Sequence, residues 1–299
     1  MIEMVKKSIQ ESFKIKDDKL DFILCALLSG GSILLTDEPG TGKTTLAKII
    51  ADVFSLDYGR VQFTPDISPS DITGINIFNK ELNNWELHKG PVFNDILLVD
   101  EINRALPRAQ SALLESMAEK QTTIDRKTYP LSRNFFVIAT QNHLEEEGTF
   151  DLPSAQKDRF CMNLSLGDLS REHELAIMMG IYDYKKKESL VSKEEFAMMK
   201  AKASDINVHD KVANYALDII HAVKNNDDIK KGVSLRAGKD LINNAKALAF
   251  LRGSQNVLPD HIFELVNPVL NHRITLKNRS TEPDEIASVL TKSLKKVKS

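Results

Sequence analysis

The hydrophobic pattern of the chain changes twice along its length. In residues 1–30, apolar positions recur at helical spacing, and Gly30-Gly31 ends this helical segment. From Ser32 onward strands and helices alternate, which is typical of a parallel sheet covered by helices. The candidate core strands are Ile33–Thr36, Arg60–Phe63, Ile96–Val99 and Phe135–Thr140. After about Leu166 strand-like runs vanish and helical periodicity takes over, which predicts a separate all-helical domain.

Two short segments interrupt the alternation of strands and helices. In each segment, two runs with period-two alternation flank a polar turn, which is typical of a β-hairpin. The paired runs are Ile75–Phe78 with Trp85–His88, and Thr122–Ile124 with Lys127–Tyr129. We therefore expect hairpin insertions at about residues 74–90 and 121–131.

The composition excludes several classes of protein. A length of 299 residues suggests one large or two medium domains. The apolar content of 42% and charged content of 27% are ordinary for a soluble globular protein. Because the net charge is only −2, the protein as a whole attracts neither nucleic acid nor an anionic membrane.

The cysteines and the N-terminal segment indicate the compartment. Cys25 and Cys161 show no CxxC spacing, so they indicate reducing conditions and neither a disulfide framework nor a zinc site. Residues 1–19 lack the apolar core of a signal peptide, and no run approaches the ~20 apolar residues of a membrane span. We therefore expect a cytoplasmic protein without a membrane span.

A glycine-containing loop follows the first predicted strand and precedes the helix-like stretch 46–51. This order of strand, glycine loop and helix is the context of a phosphate-binding loop. Glycines let backbone N–H groups close around phosphate oxygens, and the helix N-terminus adds its dipole to the same anion site. The predicted nucleotide-binding residues are Glu38, Pro39, Gly40, Thr41, Gly42, Lys43, Thr44 and Thr45.

Individual roles follow from the chemistry of this loop. Lys43 would reach the β- and γ-phosphates, and Thr44 would place its hydroxyl on Mg²⁺. The full motif has a glycine five residues before Gly42, where this chain has Asp37. Because a carboxylate beside a triphosphate is electrostatically unfavourable, we expect the Asp37 side chain to turn outward to solvent.

Two carboxylates end the apolar strand Ile96–Val99. At the carboxyl end of a parallel strand, such side chains face the ligand crevice. Asp100 would hold Mg²⁺ through water, which makes Thr44 and Asp100 the candidate metal ligands. Glu101 would orient and polarise the attacking water. The strand Phe135–Thr140 leads to Asn142, whose amide could hydrogen-bond both the γ-phosphate and that water.

Motifs along most of the chain, in order, resemble those of AAA+ ATPases of the MoxR type. They are Gln62–Asp66, Pro69–Gly74, Gly90–Phe93, Asp100–Ala105, Gln110–Glu115, Glu147–Thr149, Asp158–Phe160, Gly232–Ala237 and His272–Ile274. The resemblance implies a P-loop αβα domain in residues 1–166, with two hairpin insertions, and a helical linker and lid in residues 167–299. It makes residues 38–45 Walker A, Asp100-Glu101 Walker B, and Asn142 sensor 1.

The same resemblance implies how the protein works. Arg159 matches the arginine finger that serves a neighbouring subunit, and Arg236 matches sensor 2, acting on its own subunit's nucleotide or its neighbour's. The implied assembly is a ring, a hexamer, that hydrolyses ATP with Mg²⁺. The implied role is chaperone-like remodelling or maturation of partner complexes, including metal insertion, with a partner carrying a von Willebrand factor A domain.

Two alternatives stay open at this point. The near-neutral net charge argues against the first, a nucleic-acid-associated AAA+ motor. A salt-dependent DNA-binding assay would distinguish such a motor from a remodelling ATPase. A nucleotide-sensing scaffold without hydrolysis is motivated by Asp37 alone, and a phosphate-release assay would decide that case.

Overall fold

The computed structural model describes residues 1–37, 40–141, 148–150, 152–167, 171, 175, 178–179, 184–278, 282–295 and 297. Its contacts define two compact units. Unit 1 comprises Met1–Lys16, Leu34–Leu152 and Ser165–Phe196, and unit 2 comprises Asp17–Ile33, Pro153–Leu164 and Ala197–Ser299. These units interleave along the sequence, so they are a different partition from the predicted domains 1–166 and 167–299, which stay a prediction.

Strands in the described residues form one five-stranded sheet and three two-stranded pairs. Their bounds are β1 Ile33–Thr36, β2 Tyr58–Gln62, β3 Gly74–Asn79, β4 Asn84–Lys89, β5 Ile96–Asp100, β6 Gln121–Ile124, β7 Lys127–Pro130, β8 Phe136–Gln141, β9 Met162–Leu164, β10 Ile229–Lys231 and β11 Thr275–Leu276.

Helices surround these strands in sequence. Their bounds are α1 Ile2–Ser12, α2 Asp17–Ser29, α3 Lys43–Val53, α4 Pro69–Thr73, α5 Pro107–Glu119, α6 Ser154–Lys157, α7 Lys193–Ser204, α8 Asp210–Lys224, α9 Leu235–Leu251, α10 Pro259–Leu270 and α11 Pro283–Leu294. Within the described part of the chain, no helix combines the length and apolar character needed to cross a bilayer.

The large sheet has the strand order β2-β5-β8-β1-β9. Strand β5 pairs in parallel with both β2 and β8. Every residue of β5 and β8 is buried, as expected for apolar strands that are covered on both faces. The predicted α/β class with a parallel sheet is therefore confirmed. Because β8 lies between β5 and β1, the loops that follow these three strands emerge on one edge of the sheet.

Both predicted hairpins are present in unit 1. Strand β3 pairs antiparallel with β4, and β6 pairs antiparallel with β7. The β6–β7 turn consists of Asp125 and Arg126, both with positive φ (47° and 67°), which matches the twist of a two-residue hairpin. Asn76 Nδ2 donates to Asp125 Oδ2 at 2.9 Å, so a direct hydrogen bond joins the two hairpins.

Unit 2 is mainly helical, as the C-terminal hydrophobic pattern predicts. Helix α9 buries one apolar face, including Leu241, Ala245 and Leu248, and packs against α2 and α10. The contact between α2 and α9 includes a hydrogen bond from Ser29 Oγ to Asn244 Oδ1 at 3.1 Å. Unit 2 also contains the antiparallel pair β10–β11, whose strands are too short to give an alternating pattern in the sequence.

Candidate functional site

The loop between β1 and α3 has the backbone of an anion-binding turn. Gly40 and Gly42 have φ values of 86° and 80°, a left-handed conformation that glycine adopts without steric cost. A Cβ at Gly42 would also lie only 2.6 Å from the Phe13 ring. Any other residue at this position would therefore strain the backbone and press against that ring. Gly42 directly precedes α3, so N–H groups of the first helical turn are directed towards the loop. Glu38 and Pro39 lie outside the described residues.

Lys43 is held close to the loop backbone. Its Nζ donates to the main-chain carbonyl of Asp37 at 2.8 Å. Burial lowers the pKa of Lys43, whereas the negative charges of Asp37, Asp100 and Glu101 act in the opposite direction. The ammonium group is therefore partly desolvated, and the three carboxylates around it favour its charged form.

Asp100 ends β5 as a buried carboxylate with a cationic neighbour. Arg60 Nε lies 2.7 Å from Asp100 Oδ2. The parallel register between β2 and β5 places Gln62 beside Asp100, so Arg60 and Gln62 share one edge of the sheet with the carboxylates. The sequence analysis missed Arg60, because a lone arginine within a strand gives no sign of the register that brings it to Asp100.

Glu101 combines an unusual backbone conformation with a restrained side chain. Its φ of 55° is left-handed, which costs a non-glycine residue on the order of 1–3 kcal/mol and is common at functional sites. The Glu101 N–H donates to Thr140 Oγ1 at 2.9 Å, which fixes the turn. Its Oε2 accepts from Gln62 Nε2 at 2.5 Å and from Arg104 at 3.1 Å. The carboxylate therefore has a defined orientation at the end of β5.

These groups line a single cavity of about 320 Å³ in unit 1. Its lining residues are Asp37, Gly40, Thr41, Gly42, Lys43, Thr44, Arg60, Gln62, Asp100, Glu101, Thr140 and Gln141. The Thr44 hydroxyl and the Asp100 carboxylate are hard oxygen ligands, which Mg²⁺ prefers, so the donor set fits that ion. Thr45, the next residue of α3, is not part of this lining.

Three further residues that the sequence predicts for the site are not among those that line this cavity. Asn142 lies outside the described residues, although Gln141, which precedes it, does line the cavity. Arg159 and Arg236 belong to unit 2. Arg159 follows α6, and Arg236 is the second residue of α9. Their roles stay predictions.

The Asp37 carboxylate is not turned outward to solvent, so that expectation is wrong. Its Oδ1 accepts from the Ser165 hydroxyl at 2.7 Å and from the Leu166 and Gly167 N–H groups at 3.0 and 3.4 Å. These hydrogen bonds compensate for the partial burial of the carboxylate. The partners are about 130 residues away in the sequence, which is why local reasoning about the loop did not find them.

Comparisons with known proteins agree with this geometry. The model of the ATPase family associated with various cellular activities (AAA) matches residues 32–162, and that of the AAA lid domain matches residues 222–292. The uncharacterized protein YeaC of Bacillus subtilis (strain 168) is 37% identical over 279 residues, which cover 91% of this chain and 87% of that protein.

One further relative and one solved structure are similar to most of this chain. Chaperone MoxR1 of Mycobacterium tuberculosis (strain ATCC 25618 / H37Rv) is 36% identical over 272 residues, which cover 87% of this chain and 72% of that protein. A crystal structure of a protein from Cytophaga hutchinsonii ATCC 33406, proposed to be an ATPase, superposes with a TM-score of 0.87. That protein is 35% identical in sequence, and the match covers 97% of this chain and 93% of that one. The chain therefore belongs to the MoxR-type AAA+ ATPases.

Proposed function

We propose that this protein hydrolyses ATP to ADP and phosphate, with Mg²⁺, at the cavity of unit 1. The main observation in support is that the left-handed glycine loop, Lys43 and the Asp100-Glu101 pair line one cavity. Membership of an ATPase family supports this activity. Phosphoryl transfer depends mainly on positioning and charge stabilisation, which is what such an arrangement can provide.

Each residue of the cavity has a defined task in this proposal. Backbone N–H groups near Gly40 and Gly42 bind phosphate oxygens, and Lys43 exchanges the Asp37 carbonyl for the β- and γ-phosphates. Thr44 and Asp100 would hold Mg²⁺, which would supply positive charge against the negative charge that develops on the phosphate oxygens.

Glu101 orients and polarises the attacking water. Gln62 and Arg104 both donate to Oε2, so this oxygen is already restrained and the carboxylate is held at the end of β5. A positioned carboxylate can accept a proton from water as the water attacks the γ-phosphorus. Asn142, as sensor 1, supplies an amide to the same water and to the γ-phosphate.

Arg159 and Arg236 complete the proposed site, Arg159 through assembly and Arg236 on its own subunit's nucleotide or its neighbour's. Arginine presents a forked, permanently charged guanidinium that matches phosphate oxygens. Arg159 acts as the arginine finger on a neighbouring subunit's ATP, and Arg236 acts as sensor 2. This arrangement requires a homo-oligomeric ring, which we propose to be a hexamer. Residues 1–166 then form the AAA+ domain, and residues 167–299 form the linker and lid.

The biological role we propose is remodelling or maturation of partner complexes, including metal insertion, in the cytoplasm. The relative named Chaperone MoxR1 supports a chaperone-like role. We propose a partner that carries a von Willebrand factor A domain. Co-purification with the Glu101→Gln variant, which traps the ATP-bound form, tests the identity of that partner. Recovery of this chain without any partner protein under ATP-trapping conditions would contradict the proposed partner.

Asp37→Gly should tighten ATP binding by less than roughly tenfold, or ~1.4 kcal/mol. An Asp37 carboxylate facing the phosphates would cost about 4 kcal/mol at 4 Å and an effective dielectric constant of 20. The observed carboxylate binds residues 165–167 instead. Calorimetric titration with a non-hydrolysable ATP analogue measures the difference, and Asp37→Asn separates loss of charge from loss of shape. Binding by Asp37→Gly but not by the native protein would favour a degenerate, non-hydrolysing site.

Glu101→Gln should leave Mg·ATP binding largely intact and abolish steady-state turnover. The amide keeps the shape of the side chain but cannot accept a proton from water. Phosphate release and binding of a fluorescent ATP analogue are measured on the same preparation. The matched control is Glu119→Gln, which makes the same change on the exposed end of α5 and should not alter hydrolysis. Hydrolysis by Glu101→Gln at the native rate would show that Glu101 does not position the water.

Arg159→Ala should bind ATP yet lose most hydrolysis, because arginine fingers contribute roughly 10³–10⁵ in rate in other nucleotidases. If the finger acts between subunits, mixing Arg159→Ala with Glu101→Gln should restore some activity. In mixed rings, a subunit with an intact Glu101 can receive Arg159 from its neighbour. Subunit exchange is verified separately by fluorescence energy transfer between labelled subunits. Confirmed exchange without any recovery of hydrolysis would contradict action between subunits.

A further inference from the structure

Unit 2 contains a buried guanidinium that bridges two carboxylates. Arg273 ends the short 3₁₀ helix Asn271–Arg273, and its side chain is only 1% exposed. Its Nη2 donates to Asp240 Oδ2 at 2.5 Å, and its Nε lies 3.3 Å from Asp158 Oδ1. Removing such a charge from water is costly, and a buried pair seldom returns that cost as net stability. The arrangement therefore needs an explanation other than stability.

The two carboxylates belong to the elements that carry the predicted arginines. Asp158 immediately precedes Arg159 in the chain. Asp240 lies four residues after Arg236 on α9, so these two side chains share one face of the helix. Consistent with this, Arg236 is among the charges that act on the pKa of Asp240, which burial raises and Arg273 opposes.

Further hydrogen bonds tie the segment around Arg159 to the start of α9. Ser234, the residue before α9, donates its hydroxyl to Asp158 Oδ1 at 3.2 Å and to Oδ2 at 3.0 Å. Arg273 Nη2 donates to the Phe160 carbonyl at 2.6 Å and to the Asp158 carbonyl at 3.4 Å, so the backbone on both sides of Arg159 is held. His272 Nε2 also lies 3.0 Å from the Phe160 carbonyl.

We propose that Arg273 is a positioning residue that fixes the segment carrying Arg159 against the helix carrying Arg236. The guanidinium reaches both elements, because its Nη2 donates to Asp240 and to the Phe160 carbonyl while its Nε lies 3.3 Å from Asp158 Oδ1. A lysine ammonium is a single charged point on a flexible stem and cannot reach both elements in the same way. The two predicted phosphate-binding arginines then form one rigid pair within each subunit. This inference rests on the proposed ATPase function, and it concerns orientation, because Arg273 itself is buried away from solvent.

The first test is Arg273→Lys, which keeps the positive charge and removes the planar guanidinium that lies against both carboxylates. We expect kcat for ATP hydrolysis to fall at least tenfold with KM changed less than about threefold. A 1 Å misplacement of a catalytic group can cost on the order of 10²-fold in rate. The matched control is Arg252→Lys, which makes the same change at an exposed bidentate pair with Glu264 in unit 2 and should leave kcat unchanged.

The decisive readout is the same substitution in the Arg159→Ala background. If Arg273 acts through Arg159, the second change has little left to disturb and should lower kcat by less than about twofold. A loss as large as in the native background would show that Arg273 only supports the fold, and it would overturn the proposal. Thermal unfolding of each variant is followed in parallel.

A milder variant covers the case in which Arg273→Lys does not fold. The Ser234 hydroxyl makes no cap hydrogen bond to α9, so Ser234→Ala removes the bond to Asp158 without uncapping the helix. It should lower kcat about three- to tenfold, again only when Arg159 is present. Unchanged kcat in Ser234→Ala, with native hydrolysis intact, overturns the positioning role alone. Absence of hydrolysis by the native protein overturns the proposed function and this inference with it.

Discussion

The carboxyl ends of the parallel strands β1, β5 and β8 bring together most of the groups that line the cavity, and β2 adds Arg60 and Gln62. Strands β5 and β8 are buried on both faces, and the parallel register of β2, β5 and β8 fixes which residues stand at their carboxyl ends. The three strands are neighbours in the sheet, and all present their carboxyl ends to the same crevice. The glycine loop, the Asp100-Glu101 pair and Thr140 therefore meet without any of them being close in the sequence.

The polar groups at the carboxyl ends of these strands already have hydrogen-bond or ion-pair partners within the protein. Lys43 is bonded to a carbonyl, Asp100 to Arg60, and Glu101 to Gln62 and Arg104. In the proposed function, a triphosphate would compete with the Asp37 carbonyl for Lys43, and Mg²⁺ would compete with Arg60 for Asp100. Nucleotide binding would then be coupled to rearrangement of existing pairs, and the affinity would reflect the difference between two sets of polar contacts.

The sequence predicted the features that local patterns encode. The strands, both hairpins and the glycine loop follow from periodicity and turn chemistry, and the structure contains each of them. Side-chain partners across the fold could not be predicted in this way. Arg60 meets Asp100 only through the register of β2 on β5, and Asp37 meets residues 165–167 from about 130 positions away. The bridging role of Arg273 likewise depends on three separated segments of unit 2.

If ATP is hydrolysed at the cavity around Lys43, steady-state phosphate release by the native protein should require Mg²⁺ and disappear on chelation. Release by Lys43→Ala should not exceed background, with folding unchanged by circular dichroism. Hydrolysis at the native rate by Lys43→Ala, or magnesium-independent release by the native protein, would show that phosphoryl transfer does not occur at this cavity in the proposed way.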